Sequence, residues 1–460
     1  MRAALCAVVV AGLLVAAPSA DSGTPPRGFT IAAAGDIIPH EALVDAGDRY
    51  LPGAGWDFTA MLADIEPWVS SADLGLCHFE GTLSPTSTGL SGYPRFIGPR
   101  EMADAIVAAG WDGCSTASNH AMDGGWTGVV GTLEVLDAAG LAHAGTARDP
   151  EERLPTLYEV NGVTVAHISY TYGTNGILVP QDRPWAVNVI DAAAILADAE
   201  WARDHGSEFT VVSLHWGLEY HISPTGAQRS LAELLLASPD VDLILGHHAH
   251  VVQPIERIGD KYVVYGMGNH VSNQFSRWGP DYANTEDGLL VRVKVMERPG
   301  GGFEVTGIEV VPTWVQFGTY RVLAAGDPPP DEVASAATIA ASHRRTLATA
   351  TSLDAPGVEP VEVPFAELTC TGIRATIVGT PDNDVLLGTA GDDVIVGRGG
   401  DDHIFGMEGD DLICGDEGDD VIAGGPGRDV LHGGPGIDRV ITDVGDVRLG
   451  ACLTGATCQS

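Results

Sequence analysis

Five short polar clusters carry residues of the kinds that hold metal ions: AAAGDIIPH (32–40), CHFEGTLS (77–84), STASNHAMDGG (115–125), SLHWGLEYH (213–221) and GHHAHVVQP (246–254). Together they offer Asp36, Glu80, Asn119, His215, His248 and His250, a mixture of oxygen and nitrogen donors. A carboxylate able to bridge, one amide oxygen and several imidazoles suit two divalent ions about 3.5 Å apart, and such a donor set admits Mn, Fe or Zn alike. His248 and His250 are spaced i, i+2, so a tight turn after a strand could point both at one centre. His247 reads as outward-facing or hydrogen-bonded at that turn. Glu219 could orient a ligand or bind substrate. Arg95, in GYPRFIG, is one of few cations near the clusters and could meet a phosphate or carboxylate. GNH at 268–270 repeats the look of SNH, and Asn269 and His270 read as pocket wall.

A second chemistry lies near the C-terminus. From residue 379 a nonapeptide recurs, with aspartates at Asp384, Asp393, Asp402, Asp411, Asp420, Asp429 and Asp438. Aliphatics follow two places later, at Leu386, Ile395, Ile404, Ile413, Ile422, Leu431 and Val440. This period predicts a compact turn plus a short strand, with the aliphatic turned inward and turn aspartates from adjacent coils sharing a cation. Hard, oxygen-only ligands select calcium, and several Ca2+ ions are expected. The repeat resembles the RTX, or haemolysin-type, calcium-binding family.

The elements that must position the clusters alternate. Candidate strands fall at 29–35, 74–79, 113–116, 163–169, 209–215, 242–246 and 262–266, and candidate helices at 126–139, 189–204 and 226–237. Strand-helix alternation predicts a layered α/β core, with polar residues just beyond the strand ends, where such sheets place their crevices. LLVRVKV (289–295) and FEVTGIEVVPTW (303–314) read as hairpin material.

The whole chain has 460 residues, 45% of them apolar, and a formal charge of −38. That charge repels phosphate backbones, so no nucleic-acid partner is expected. Residues 1–20 read as a cleaved secretory signal, since the apolar run is short and no stop-transfer charges follow. No later stretch reads as a transmembrane anchor, so a secreted protein is expected, a reading that leaves room for cell-envelope association. Cys77 and Cys114 read equally as packed thiols or a bridge, and Cys452 and Cys458 could pair outside the cell. The expected division is a core at 28–325, a Pro-rich linker or accessory segment at 326–368 holding one helix near 331–349, and the calcium-binding roll with its cap at 370–460.

The stretches GDI, FEGTLS, SNHAMDGG, HWGLEY, GHHAHVVQP and GMGNHVSNQ, in this order, make residues 29–325 resemble the CapA (poly-γ-glutamate capsule biosynthesis) family, a branch of the calcineurin-like metallophosphoesterases. The resemblance implies a four-layer α/β/β/α sandwich, here followed by a parallel β-roll. It also implies roles: Asp36, Glu80 and His250 on a first metal, with Glu80 bridging to a second held by Asn119, His215 and His248. His120 would contact the phosphoryl oxygen or protonate the leaving group, and Asp123 would orient it. The implied reaction is phosphoester hydrolysis by a metal-activated hydroxide. Two positions depart from the usual phosphoesterase pattern. Ile38 stands where a histidine is usual, so His40 would have to substitute or leave the first metal more open, and Glu80 replaces the usual bridging Asp, as in the CapA branch. Three functions compete: a two-metal phosphoester hydrolase, a CapA-like protein acting on an anionic polymer such as poly-γ-glutamate, and a calcium-dependent envelope-binding or structural protein.

Overall fold

The computed structural model describes residues 26–50, 55–324, 336–361, 369–370, 373–375, 377–379, 383–443 and 445–449. The expected signal segment and the Cys452–Cys458 pair lie outside the described residues.

Aliphatic runs that alternate with amphipathic segments form strands covered on both faces; every residue of Leu74–Phe79 and of Phe209–His215 is buried. They belong to two sheets. In the first, the order is Val322–Ala324, Phe303–Val315, Asp287–Glu297, Gly28–Ile37, Leu74–Phe79, Gly113–Ser115 and Ala142–Ala144. The short strand Asn269–Val271 pairs parallel with the end of Gly28–Ile37, with Asp36 opposite Asn269. The second sheet runs Ile255–Ile258, Lys261–Val264, Leu243–His247, Phe209–His215, Val163–Thr171 and Thr156–Val160. The four strands on the Gly28–Ile37 side of the first sheet are parallel, as are the inner four of the second, so their C-terminal ends gather the polar clusters. The expected hairpin is present, with Asp287–Glu297 antiparallel to Phe303–Val315.

Three apolar clusters hold these layers. Ile31, Ala33 and Leu76 of the first sheet meet Val165, Val211 and Leu243 of the second. On its other face the first sheet packs Ala32, Cys77 and Cys114 against Met61, Trp68, Ile106 and Leu136, while the second packs Ile168, Val212 and Ile244 against Ile195, Ala199 and Leu235. Each such aliphatic, once fully buried, contributes about 1.5–3 kcal/mol. Local signals stop and start the helices as expected. Asp191 accepts from the backbone of Ala193 and Ala194 ahead of Ala192–Asp204, Thr225 and Gln228 form a capping box on Gly226–Leu236, and Gly140 at φ 83° ends Gly125–Ala139. Cys77 and Cys114, opposite each other on neighbouring strands, form a disulfide, as do Cys370 and Cys414.

The helix anticipated near 331–349 is Ala336–Ala350. Arg345 Nε donates to Asp287 Oδ2 at 3.0 Å and Ser342 Oγ to Asp287 Oδ1 at 2.6 Å, clasping it to the first sheet. Val358–Pro360 then adds a parallel strand beside Phe303–Val315.

In the repeats, strands such as Val394–Val396, Leu412–Cys414 and Val430–His432 stack in parallel in one sheet, and His403–Phe405 and Val421–Ala423 in another. Ile395, Ile404, Ile413, Ile422 and Leu431 point inward and are fully buried. This is a parallel two-sheet stack consistent with a β-roll. The backbone N–H groups of Asp384, Asp393, Asp402 and Asp411 donate to Oδ1 of Asp402, Asp411, Asp420 and Asp429, two repeats on. The Oδ2 atoms of those four acceptors are buried without a hydrogen-bond partner. Burial and neighbouring carboxylates push Asp411 and Asp420 up to about 6. Such orphaned, mutually repelling oxygens are consistent with Ca2+ ligation. Among the described residues, no helix is long and apolar enough to cross a membrane.

Candidate metal centre

The centre forms where strands of both sheets end. Asp36, one residue from the end of Gly28–Ile37, is fully buried. Its approach to the neighbouring turn needs a glycine: a Cβ at Gly35 would lie 1.9 Å from the Gly268 carbonyl oxygen. Asp36 Oδ2 accepts from His248 N at 3.1 Å and lies 3.3 Å from His250 Nδ1, while Oδ1 lies 3.3 Å from His247 Nδ1. Burial opposes its ionisation, but the His247 and His250 contacts outweigh that and hold its pKa well below the usual carboxylate range.

Glu80 follows Leu74–Phe79, its N–H donating to Ile37 O at 2.9 Å. Both carboxylate oxygens are buried without a hydrogen-bond partner, and burial pushes the group up to about 7. Oε1 lies 3.7 Å from His215 Nε2 and 4.0 Å from His120 Nε2. An unpaired buried carboxylate costs several kcal/mol unless a cation meets it, so this donor set fits a metal.

Asn119, beyond Gly113–Ser115, sets its Oδ1 2.8 Å from His215 Nε2. His215 ends its own strand, and its Nδ1 lies 2.9 Å from His78 Nε2, whose Nδ1 lies 2.7 Å from Ser115 Oγ. Ser115 Oγ donates on to Cys77 O at 3.3 Å. With each donor facing the next acceptor, this chain puts the His215 proton on Nδ1 and leaves Nε2 a lone pair beside Asn119 and Glu80.

His248 and His250 sit in the turn after Leu243–His247, both in the left-handed region at φ 88° and 57°. That backbone is rare for any residue but glycine, and its strain is typical of functional turns. It brings ligand atoms of His248 and His250 within 4.8 Å of one another and of Glu219, just as those of Asp36, His78, Glu80 and His215 fall within 4.8 Å. Burial lowers His248 to about 3; it would also lower His250, but Glu80 and Asp36 raise that ring to about 9. Asn269, buried behind His250, places Oδ1 3.0 Å from its Nδ1.

His120 Nδ1 donates to Asp123 Oδ2 at 2.6 Å, an oxygen that also accepts from Phe96 N at 2.6 Å. Burial would lower the His120 pKa, but Asp123 and Glu80 raise it overall. Its Nε2 lines the cavity and accepts from Asn175 Nδ2 at 3.2 Å.

His40 and Arg95 line the same 1040 Å3 cavity as Glu80, Asn119, His120, Asp123, Glu219 and His250. His40 Nδ1 accepts from Asn273 N at 3.2 Å, and burial lowers the ring to about 3. A neutral His40 then carries its proton on Nε2. Ile38 lines the cavity at the position where the usual phosphoesterase pattern has a histidine. His270 is not among the lining residues. It is buried edge-on to Trp111 at 5.5 Å, with both ring nitrogens lacking a hydrogen-bond partner.

Two histidines matter more than their sequence context suggests. His247 is not outward-facing: it is the last residue of its strand, buried, and stacked on His78 at 4.0 Å. His78 is absent from the ligand set expected from sequence, although its place two residues before Glu80 is the strand spacing that puts both on one face.

Taken together, this is a two-sheet α/β domain with a buried carboxylate–imidazole centre whose donors could hold metal, followed by calcium-binding repeats. The chain belongs to the family described as bacterial capsule synthesis protein PGA_cap, whose model matches residues 30–274, and RTX calcium-binding nonapeptide repeats match residues 378–413 and 414–448. It is 32% identical over 202 residues to the PGA biosynthesis protein CapA of Bacillus subtilis, covering 43% of this chain and 50% of that protein. It is 25% identical over 302 residues to the capsule biosynthesis protein CapA of Bacillus anthracis, covering 64% of this chain and 69% of that one. The chain thus matches only half the length of the first relative. Among solved structures it is similar to the calcineurin-like phosphoesterase YfkN of Bacillus subtilis, at 16% identity and a TM-score of 0.39, covering 70% of this chain and 98% of that one.

Proposed function

We propose that the chain is a secreted, two-metal hydrolase of phosphoesters, built on a four-layer α/β/β/α core. The observation that carries this is Glu80: a buried carboxylate with both oxygens unpaired, set among Asp36, His215, His120 and His250. Asp36, Glu80 and His250 would hold one ion, and Glu80, Asn119, His215 and His248 the second. Two divalent ions there would supply Lewis-acid stabilisation of charge on the phosphoryl oxygens and a water acidic enough to attack phosphorus. His120, oriented by Asp123, acts as the general acid, delivering a proton through Nε2 to the leaving oxygen. Arg95, exposed at the cavity edge, meets a remaining phosphate oxygen. His78 holds the tautomer of His215, and Asn269 that of His250. His40 stays outside the metal shell because its free nitrogen is a donor. Secretion is supported by the N-terminal segment, by the two disulfides and by repeats suited to calcium-rich surroundings.

Family membership favours a second reading, the handling of poly-γ-glutamate or another cell-surface polymer, with the centre processing that polymer. Purified protein supplied with Mn2+ and assayed on an aryl phosphate monoester and an aryl phosphate diester separates the two. The hydrolase reading expects turnover that disappears in Asn119→Ala and His215→Ala. Metal-loaded protein inert on both esters sinks it.

A further inference from the structure

The mouth of the cavity has a chemistry that the metal centre does not explain. Its lining includes five carboxylates, Glu41, Asp45, Glu80, Asp123 and Glu219, and among the described lining residues one arginine, Arg95, and no lysine. Glu80 and Asp123 are buried and accounted for by metals and His120, whereas Glu41, Asp45 and Glu219 are exposed. Even with ions bound, the entrance stays acidic, and a polyanion would meet repulsion on its way in.

Beside these acids stands a group of aromatic rings. Tyr220 lies 5.2 Å from Tyr282, which lies 5.7 Å from Trp278, with interplanar angles of 55° and 78°. All three line the cavity. Trp278 is 46% exposed, much for so large an apolar ring beside a cavity. Tyr220 is held in place: its φ is 63°, its N–H donates to Ala249 O at 2.7 Å, and its hydroxyl accepts from Gln274 Nε2 at 3.3 Å. It stands 5.8 Å from His250, and Glu219 precedes it in the chain, so the ring group adjoins the metal centre on the His250 side. On the His120 side are Phe96, 4.5 Å from His120, and Arg95 next to it. Rings set at steep angles with a carboxylate beside them are an arrangement that recognises an alkylammonium group.

We infer that this mouth is a subsite for an alkylammonium group, so that the ester taken at the centre is a phosphoester bearing a positively charged substituent, such as a phosphocholine-type zwitterion, and not an anionic polymer. The inference rests on the hydrolase reading for the phosphate end, while the ammonium end rests on Tyr220, Tyr282, Trp278 and Glu219 alone.

Calorimetric binding to the full-length, Mn2+-loaded protein tests it without needing turnover. Phosphocholine is compared with 3,3-dimethylbutyl phosphate, its neutral isostere with carbon in place of nitrogen. The subsite predicts at least tenfold tighter binding of phosphocholine, a preference that falls below threefold in Trp278→Ala and Glu219→Gln and is partly retained in Trp278→Phe. Equal affinities for the two probes, or a preference untouched by Trp278→Ala, overturn it, as does tighter binding of a γ-linked glutamate oligomer than of phosphocholine. If the preference holds while aryl phosphates are not turned over, the hydrolase reading fails and the subsite stands. Turnover without the preference overturns the subsite and leaves the hydrolase reading in place. Sedimentation with phosphatidylcholine vesicles, competed by phosphocholine, distinguishes a lipid headgroup from a free ester as the source, and either supports the subsite.

Discussion

Replacing Glu80 by glutamine changes the sign of its effect with metal. In metal-free protein the carboxyl is raised from 4.5 to about 7 by burial. Below about pH 4.5 it is protonated in both folded and unfolded chains and contributes nothing. The cost of ionising it in place grows as pH rises through that window and is complete above about 7. A shift of about 2.5 units corresponds to about 3 kcal/mol. Glutamine keeps the shape and removes the charge, so metal-free Glu80→Gln should be more stable than the parent by about 3 kcal/mol at pH 8 and by less than about 1 kcal/mol at pH 5. For a domain of this size the pH 8 gain is roughly 5–10 °C in Tm. With saturating Mn2+ the order should invert, because the variant loses a ligand shared by both ions; each ion held a hundredfold more weakly forfeits up to about 2.7 kcal/mol of linkage stabilisation, about 5 kcal/mol for the pair against a gain of about 3. Thermal melts of both proteins, with chelator and with Mn2+, at the two pH values are the assay. A variant less stable than the parent in chelator at pH 8, or a gain equal at both pH values, refutes the reasoning.

Asp123→Asn should lower kcat on an aryl phosphate about 100-fold with little change in KM, since it leaves His120 unoriented. Because Asp123 helps hold the His120 pKa up, the alkaline limb of the variant's kcat/KM profile should move to lower pH. Chelating calcium should unfold residues 379–441 and spare the α/β core, a change seen as loss of circular dichroism and new protease cuts confined to the repeats. Arg345→Ala should cost about 1–2 kcal/mol in urea unfolding, a modest figure because Arg345 is part exposed while the Asp287 it leaves behind is buried.

The parallel strands were legible because parallel strands buried on both faces must be near-continuous aliphatic runs. LGLCHF and FTVVSLH became strands over the residues read from sequence, 74–79 and 209–215. The candidate ligands were legible for a related reason: polar residues directly after such runs fall at strand ends, and Asp36, Glu80, Asn119, His215, His248 and His250 do gather there. What escaped depends on contacts between strands. His78 gains its role from Ser115 on the next strand and His215 on the other sheet, pairings that no local pattern carries. Leu243–His247 runs one residue past DLILG, and that residue decides that His247 points inward against Asp36. Asn269 and His270 looked alike in GNH, yet adjacent residues of a strand face opposite ways, so Asn269 meets His250 and His270 meets Trp111. The Cys77–Cys114 bridge was open between two readings until the register placed the pair opposite each other.

Metal analysis of the purified protein by plasma mass spectrometry, after Mn2+ loading and removal of free ion, tests the binuclear centre most directly. Two transition-metal ions per chain are expected, counted separately from calcium, falling to one or fewer in Glu80→Ala. One ion or none in the parent, or two ions retained without Glu80, would contradict a centre bridged by that carboxylate.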